Sequence, residues 1–578
     1  MFDVKVDFRS KLVLGHSAFG TLLVLLLAGL VFWPSPACAT VQNVLNYGAK
    51  GDGSTDDTAA IKSAIAALQP GDTLLFPCTT SNTYLISSQL TIDVTDVTVD
   101  GSSCATIKDT YSNTGTPQGR IMVIGGNGTS LYATYGTALA LSAAANELST
   151  SFTTLTSLGV NPGDYVYLCQ GGTDGSAATG ASCPQSSSNG ICDPSGCRGE
   201  VLKVASVSGN TVTVTTALHD TYDPVANTAV AQKIIGPLTG VTVRNITFDG
   251  NGTNAYGLVL AGVAYSTVSG VTAKNVQGAA IFGGGNFNVT WSNVTITQAG
   301  SEDCGAAAHF EQQGNLSLNT ISISQENQQG SSGTGTCFVS AGAFGFELTG
   351  SANGTIADLT VDATGATGRP FKFTAGRWNT LNSVTVQNGS SFDDNGVSIQ
   401  YYSSHNTFNN CIVTGNGIPG HSGTAGINLF GNYYQYNTFS NCTVTGNAGV
   451  QFADTYFDRL QLGTDSHNAV VGGTYTGING AGSVINLEAP YDSVSGATIS
   501  GPAPTNYSGI EMDGPNAGAP GATNACINNN VFIPGTPSLT YAISSYNSNG
   551  SDIGSGNQLG SLSNNPNGYF TAGTCTAP

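Results

Sequence analysis

Between Gly240 and Gly514 one short pattern keeps returning: two apolar residues that flank a third. It appears as Leu258-Val259-Leu260, Ala280-Ile281-Phe282, Ala308-His309-Phe310, Phe346-Glu347-Leu348 and Phe371-Lys372-Phe373. It continues as Val397-Ser398-Ile399, Ile427-Asn428-Leu429, Leu460-Gln461-Leu462, Ile485-Asn486-Leu487 and Ile510-Glu511-Met512. The middle residues advance by 22, 28, 38, 25, 26, 30, 33, 25 and 25 positions. An element that recurs at such a period specifies a solenoid. Alternate residues of a strand point to opposite faces, so the flanking residues are expected inward and the middle one outward.

The remainder of each repeat is also strand-forming. Val241 to Phe248 and Phe408 to Val413 are pairs of brief alternating runs hinged at Asn. Asn tolerates the left-handed backbone of a tight bend. Gly and Asn then fill a longer loop before the next repeat. Three short strands per turn, with no helical spacing, predict an all-β, right-handed, single-stranded parallel β-helix whose coils bury one continuous core.

Composition narrows the partners. The chain has 578 residues, 77 Gly, 16 Lys plus Arg and a net charge of −19. Regular apolar repeats argue against disorder, and the acidity argues against nucleic acid as a partner. Lys5, Arg9 and Lys11 precede the apolar run Phe19–Trp33, and Ala37-Cys38-Ala39 has the form of a cleavage site. Residues 1–39 are therefore expected to be a signal peptide. The mature protein is then secreted, extracellular or in the cell envelope, with no membrane span. Removing Cys38 from 13 cysteines leaves an even number, as disulfide pairing prefers. Cys169, Cys183, Cys192 and Cys197 share a Gly/Ser-rich loop, where disulfides are expected before a zinc site. Cys411 and Cys442 occupy matching positions of adjacent coils, where they either pair or stack as small apolar residues.

Along the chain, 40–128 is expected to hold the N-terminal cap and first coils. Asp56 or Asp57 can cap a helix with the face Ile61, Ala64, Ile65 and Leu68, which would cover the open first coil. Residues 129–235 read as a small antiparallel β insert, with strands over 162–168, 200–207 and 211–215. The main helix follows over 236–514, and 515–578 closes the far end. The stretch Asn43–Ile65, with its Gly51-Asp52-Gly53 turn and Asp56-Asp57, resembles the opening of the pectate-lyase superfamily of β-helices, which includes rhamnogalacturonase- and epimerase-like proteins. With the repeats, that resemblance implies the pectin-lyase fold. It leaves the reaction open, because the superfamily spans hydrolases, lyases, epimerases and phage tail proteins.

The middle of the outward column is where chemistry is expected. His309, Glu347 and Lys372 come from successive repeats, with Glu311 two residues on, and stacked strands lie about 4.8 Å apart. Taken alone, this trio would be a solvated ion-pair ladder, and Asp393-Asp394-Asn395-Gly396 a turn. Arg369, Lys372 and Arg377 add a basic cluster within nine positions of an acidic chain. The order Asp393-Asp394, then Gly420-His421, then Arg459 resembles the active-site order of the polygalacturonase family of glycoside hydrolases. Two departures stand out: Gln461 where that family has Lys, and Gly368-Arg369-Pro370 near its Asn-Thr-Asp.

The resemblance implies a secreted hydrolase acting on a pectin-like or other uronate-containing polysaccharide by inverting acid/base chemistry, without a cofactor. One of Asp393 and Asp394 would be the general acid, and the other or Glu347 would activate water. His421 would support the acid. Lys372, Arg369, Arg377 and Arg459, with His309 and Glu311, would hold substrate, and Tyr402 would stack on sugar rings. Two alternatives stand beside it. One is a lyase or epimerase, which would bring in calcium held by Asp303, Asp393 or Asp394. The other is a non-catalytic glycan-binding β-helix. A capped monomer is expected.

Overall fold

The computed structural model describes residues 39–575 except 111–118, 129, 172–197, 254, 301–305, 326–343, 367–368, 390–394, 418–424, 431–433, 456–465, 479–482, 502–506, 514–520, 536–537, 547–551 and 566–569. Residues 1–38, hence nearly all of the expected signal peptide, lie outside that set, as do Cys183, Cys192 and Cys197.

Each coil contributes one strand to each of three faces. The first face is a parallel sheet that runs from Leu90–Ile92 to Tyr541–Ser545 and carries the recurring pattern. Strands of the second and third faces pair in register down the same axis, as in Thr380–Thr407–Thr438 and Thr385–Ile412–Thr443. Between these two faces the chain bends at a residue with positive φ: Asn245 (56°), Asn293 (51°), Asn410 (54°), Asn441 (55°) and Asn529 (55°). The short Asn side chain is what makes that bend cheap, as its spacing in the sequence predicts. The assembled fold is a right-handed parallel β-helix.

The flanking residues of the pattern are the core. Phe310, Phe346, Phe371 and Phe373 are fully buried, and Phe346 stacks on Phe371 with centroids 5.0 Å apart. Each such side chain contributes about 1.5–3 kcal/mol on burial. Two repeats differ from the expected register. Leu258 pairs with Ile281 and Val259 with Phe282, so Ile281 is inward and Phe282, not Ile281, occupies the outward column. Leu460-Gln461-Leu462 lies outside the described residues. The strand between Ala425–Phe430 and Ile485–Leu487 is Val450–Thr455, with Phe452-Ala453-Asp454 in the pattern position.

The N-terminal helix spans Thr58–Ala66 and buries Ile61 and Ala64, with Leu68 packed beyond its end. Asp56 Oδ1 accepts from Thr58 N at 3.0 Å, while Asp57 Oδ1 and Oδ2 accept from Lys50 N and Gly51 N. One aspartate therefore caps the helix and its neighbour ties the preceding turn to it. Among the described residues three disulfides join cysteines of neighbouring strands and turns: Cys78–Cys104, Cys411–Cys442 and Cys526–Cys575. Among the described residues no helix is long and apolar enough to cross a membrane.

Between the first-face strand Gly119–Gly125 and the second-face strand Thr242–Arg244 an antiparallel sheet is inserted. Its long strands are Tyr165–Gln170, Arg198–Ser208, Thr211–Val214 and Val230–Ile235. It has its own core, which includes Phe152, Val166, Leu168, Leu202 and Tyr222. It also packs on the β-helix through Tyr165, Tyr167, Val201 and Ile234, which meet Ala264 and Phe287. Gly314 permits that approach: a Cβ there would collide with the Val201 carbonyl oxygen.

Candidate active site

The strands Ala306–Glu311, Phe344–Thr349 and Phe371–Thr374 are consecutive in the first face, and their register sets His309 beside Glu347 and Glu347 beside Lys372. The column continues through Ser398 and Asn428. These side chains point away from the core, as the alternation predicts. They are not solvated, however. His309, Glu311, Glu347 and Lys372 retain only 8, 1, 4 and 4% of their accessible surface. Part of the cover is the insert: Tyr132 packs edge-on against Phe282, Phe282 packs on the His309 ring, and Tyr135 Oη donates to Gln312 Oε1.

Dry surroundings make the polar contacts strong. His309 Nε2 donates to Glu311 Oε1 at 3.0 Å and lies 3.9 Å from Glu347 Oε2. Lys372 Nζ donates to Glu347 Oε1 at 2.9 Å. Burial opposes the imidazolium of His309, but Glu347 and Glu311 outweigh it and raise its pKa above the usual value. Burial likewise opposes the Glu347 carboxylate, and Lys372, His309 and half-buried Arg369 outweigh that penalty and lower its pKa. The row thus alternates acidic and basic side chains, Glu311–His309–Glu347–Lys372, and the two shifts favour the charged forms of His309 and Glu347. It offers a proton donor at His309 Nε2 and an ionised acceptor at Glu347. Among the described residues no group of three or more His, Cys, Asp or Glu is arranged to hold a metal ion.

The other expected site residues divide. Asp393, Asp394, His421 and Arg459 lie outside the described residues, as does Asp303. Asn395, which follows Asp394, is buried and accepts from Ala425 N through Oδ1 at 2.7 Å. Arg377 lies in the turn after the first-face strand. It is buried with Nη2 3.1 Å from Asp220 of the insert, so it anchors the insert instead of facing the row. Tyr402 is also buried, with the Arg198 guanidinium 4.6 Å over its ring. That ring face is occupied by the insert and not open to a sugar.

One feature escaped sequence reading altogether. In the turns between first and second faces, Trp378, His405, Tyr436, His467 and Tyr491 stack with centroids 4.4, 4.9, 5.0 and 5.0 Å apart. The next residue in each case is a buried Asn or Asp: Asn379, Asn406, Asn437, Asn468 and Asp492. The recurring aromatic-Asn dipeptide was the available signal. At the top of the stack Trp378 Nε1 donates to Glu147 of the insert at 2.8 Å.

Comparison with known proteins agrees with this architecture. Residues 41–167 match the family described as Rhamnogalacturonase A/epimerase, pectate lyase-like, and residues 329–462 match the right handed beta helix region. The chain superposes on the tailspike protein gp49 from Pseudomonas phage LKA1 with a TM-score of 0.53 and 16% identity, over 89% of this chain and 81% of that one. A tailspike of Pseudomonas phage phi297, gp61, gives 0.44 and 13%, over 91% and 79%. The A-module of the mannuronan C-5 epimerase AlgE4 from Azotobacter vinelandii gives 0.42 and 11%, over 88% and 98%. No curated protein matches the chain.

Proposed function

We propose that this pectate lyase-like right-handed β-helix protein is carbohydrate-active and hydrolyses an acidic, uronate-containing polysaccharide along its first face. The observation that carries the reading is the in-register row His309–Glu347–Lys372. In a chain with only 9% charged residues, four ionisable groups on three consecutive strands are a concentration of chemistry. The pectate lyase-like segment at 41–167 supports the substrate class.

The lowered pKa of Glu347 suits a base that activates water and not a proton donor. Asp393 or Asp394, two or one residues before Asn395, would supply the acid, with His421 supporting it. Lys372, Arg369 and Arg459 would hold a uronate carboxylate by charge-assisted hydrogen bonds. The raised pKa of His309 favours a second reading, in which Glu347 takes the proton beside a uronate carboxylate and the His309 imidazolium gives one, to the departing glycosidic oxygen in elimination or to the opposite face of the same carbon in epimerisation. The disulfides among the described residues and the N-terminal apolar run support export.

The test is incubation with sodium pectate, rhamnogalacturonan and alginate, with reducing ends and the ultraviolet absorbance of unsaturated uronates followed together. Hydrolysis gives reducing ends without absorbance, and Glu347→Gln should lower kcat by about 10²–10⁴-fold. Absorbance that rises with the ends would move the assignment to elimination. No product from any polymer would overturn cleavage.

A further inference from the structure

A second cluster of polar side chains stands on a different face, in the first coils. The third-face strands Thr106–Asp109, Thr247–Thr253, Thr272–Val276 and Thr290–Ala299 lie side by side. At their C-terminal ends is an open groove of about 450 Å³ lined by Lys108, Asp249, Asn251, Asn275, Gln277 and Gln298. The ladder sets Lys108 beside Asp249 and Asp249 beside Lys274.

The backbone is irregular here in a way that gathers amides. Asn251, Asn275 and Gln298 take positive φ (53°, 54° and 53°). Between Asp249 and Thr253 the chain carries extra residues relative to Lys274–Val276, a bulge that turns side chains out of the pleat. Asp249 is engaged by other groups: Asn251 N donates to its Oδ1 at 2.9 Å and Asn275 Nδ2 at 3.0 Å, and Lys274 Nζ lies 3.7 Å from Oδ2. Lys108 is therefore left over. Among the described residues, its ammonium and the side-chain amides of Asn251, Gln277 and Gln298 make no hydrogen bond or ion pair.

We infer that this groove is a second saccharide-binding site, for an acidic sugar residue whose carboxylate pairs with Lys108 and whose hydroxyls bond to Asn251, Gln277 and Gln298. A free ammonium on a molecule of net charge −19 selects an anion. Side-chain amides both donate and accept, which matches hydroxyls, themselves donors and acceptors. A phosphate, which offers only acceptors, would leave the amide carbonyls unused and would find no Arg fork. The site shares the substrate class of the proposed function but needs no cleavage. It lies on the third face, whereas Glu347 lies on the first, so it would retain a polymer beside the place where it is processed.

Native electrophoresis of the full chain through gels containing sodium pectate, sodium alginate or dextran tests this. The expected result is retardation by at least one acidic polymer and none by dextran. Lys108→Gln should lower the derived affinity about tenfold, the worth of one charge-assisted contact. Gln298→Ala should lower it less. Lys62→Gln, which removes the same charge from the N-terminal helix, should change nothing. Equal retardation of Lys108→Gln and wild type would overturn the site, and so would retardation by dextran alone or by none of the three. Product assays run in parallel separate the two readings. Lys108-dependent retardation without products would sink the hydrolase and leave this site standing.

Discussion

At the scale of single residues, the Glu347–Lys372 pair is the sharpest object in the molecule. Both groups are desolvated, so breaking the pair from one side should cost far more than an exposed ion pair is worth. Lys372→Met strands the Glu347 carboxylate and should destabilise the fold by about 3–5 kcal/mol, read as a lower guanidinium midpoint. Glu347→Leu combined with Lys372→Met removes both charges and should recover most of that loss. A single variant as stable as wild type would mean the pair is hydrated.

The pH dependence follows from the two shifts. Glu347 is lowered from 4.5, so its contribution is complete above 4.5 and fades as pH falls through the lower folded value. His309 is raised from 6.5, so its contribution is complete below 6.5 and fades as pH rises through the higher folded value. Both act in full between 4.5 and 6.5. The difference in melting temperature between wild type and His309→Gln should shrink as the buffer is taken from mildly acidic to alkaline. A difference that grew instead would contradict the His309–Glu347 contact. The row was legible in the sequence because charge is scarce and the coil period is short. Its burial was not, because Tyr132 and Tyr135 come from far earlier in the chain.

At the scale of elements, columns of identical side chains do the stapling. Asn406 Nδ2 donates to Asn437 Oδ1 at 2.9 Å, and Asn437 Nδ2 donates to Ser403 O at 3.0 Å and Asn468 Oδ1 at 3.1 Å. Asn437→Ala leaves partners unmet on both neighbouring coils. It should cost about 1–3 kcal/mol for each buried group left without a bond, checked by thermal unfolding against the exposed substitution Tyr436→Phe. Cys411–Cys442 closes a loop with a sequence separation of 31 residues. Cys442→Ser should therefore cost about 3–4 kcal/mol on the chain-entropy estimate, and reductant should reproduce part of the loss in wild type.

The same columns explain where sequence reading slipped. Ala280-Ile281-Phe282 is apolar throughout, so alternation gives no phase and the register could move by one residue. At the next failure the inward position of the pattern is Asp454. It is tolerated in the core because Tyr434 Oη and Asn468 Nδ2 donate to its two oxygens at 2.7 and 2.9 Å. With a polar residue there the strand lost its apolar signature, and Leu460-Gln461-Leu462 resembled it better. The Asn hinges at Asn245, Asn410 and Asn441 were readable because the requirement is local to one residue.

At the scale of the whole molecule, a solenoid transmits little along its axis, since each coil touches mainly the next. The insert changes that. It meets the β-helix from Phe282, through Gln312, to Arg377, Trp378, Tyr402 and His405. It therefore bridges coils that do not touch one another. Its polar anchor is Asp220, which lies 3.1 Å from Arg377 Nη2 and 3.5 Å from Arg198 Nε. Asp220→Asn leaves Arg377 buried without its counter-charge and should loosen the docking by about 3–5 kcal/mol. Trp378 reports on it: acrylamide quenching of the emission that Trp378→Phe removes should rise in Asp220→Asn. Hydrogen exchange should then show a gradient. Amides of Ala306–Glu311 and Phe371–Thr374, strands near the insert, should exchange faster than in wild type. Those of Ile485–Leu487 and Ser508–Met512, strands further along the axis, should be unchanged. A uniform change along the whole axis would show that the coils unfold as one unit, and that the insert is not what ties the charged row's coils together.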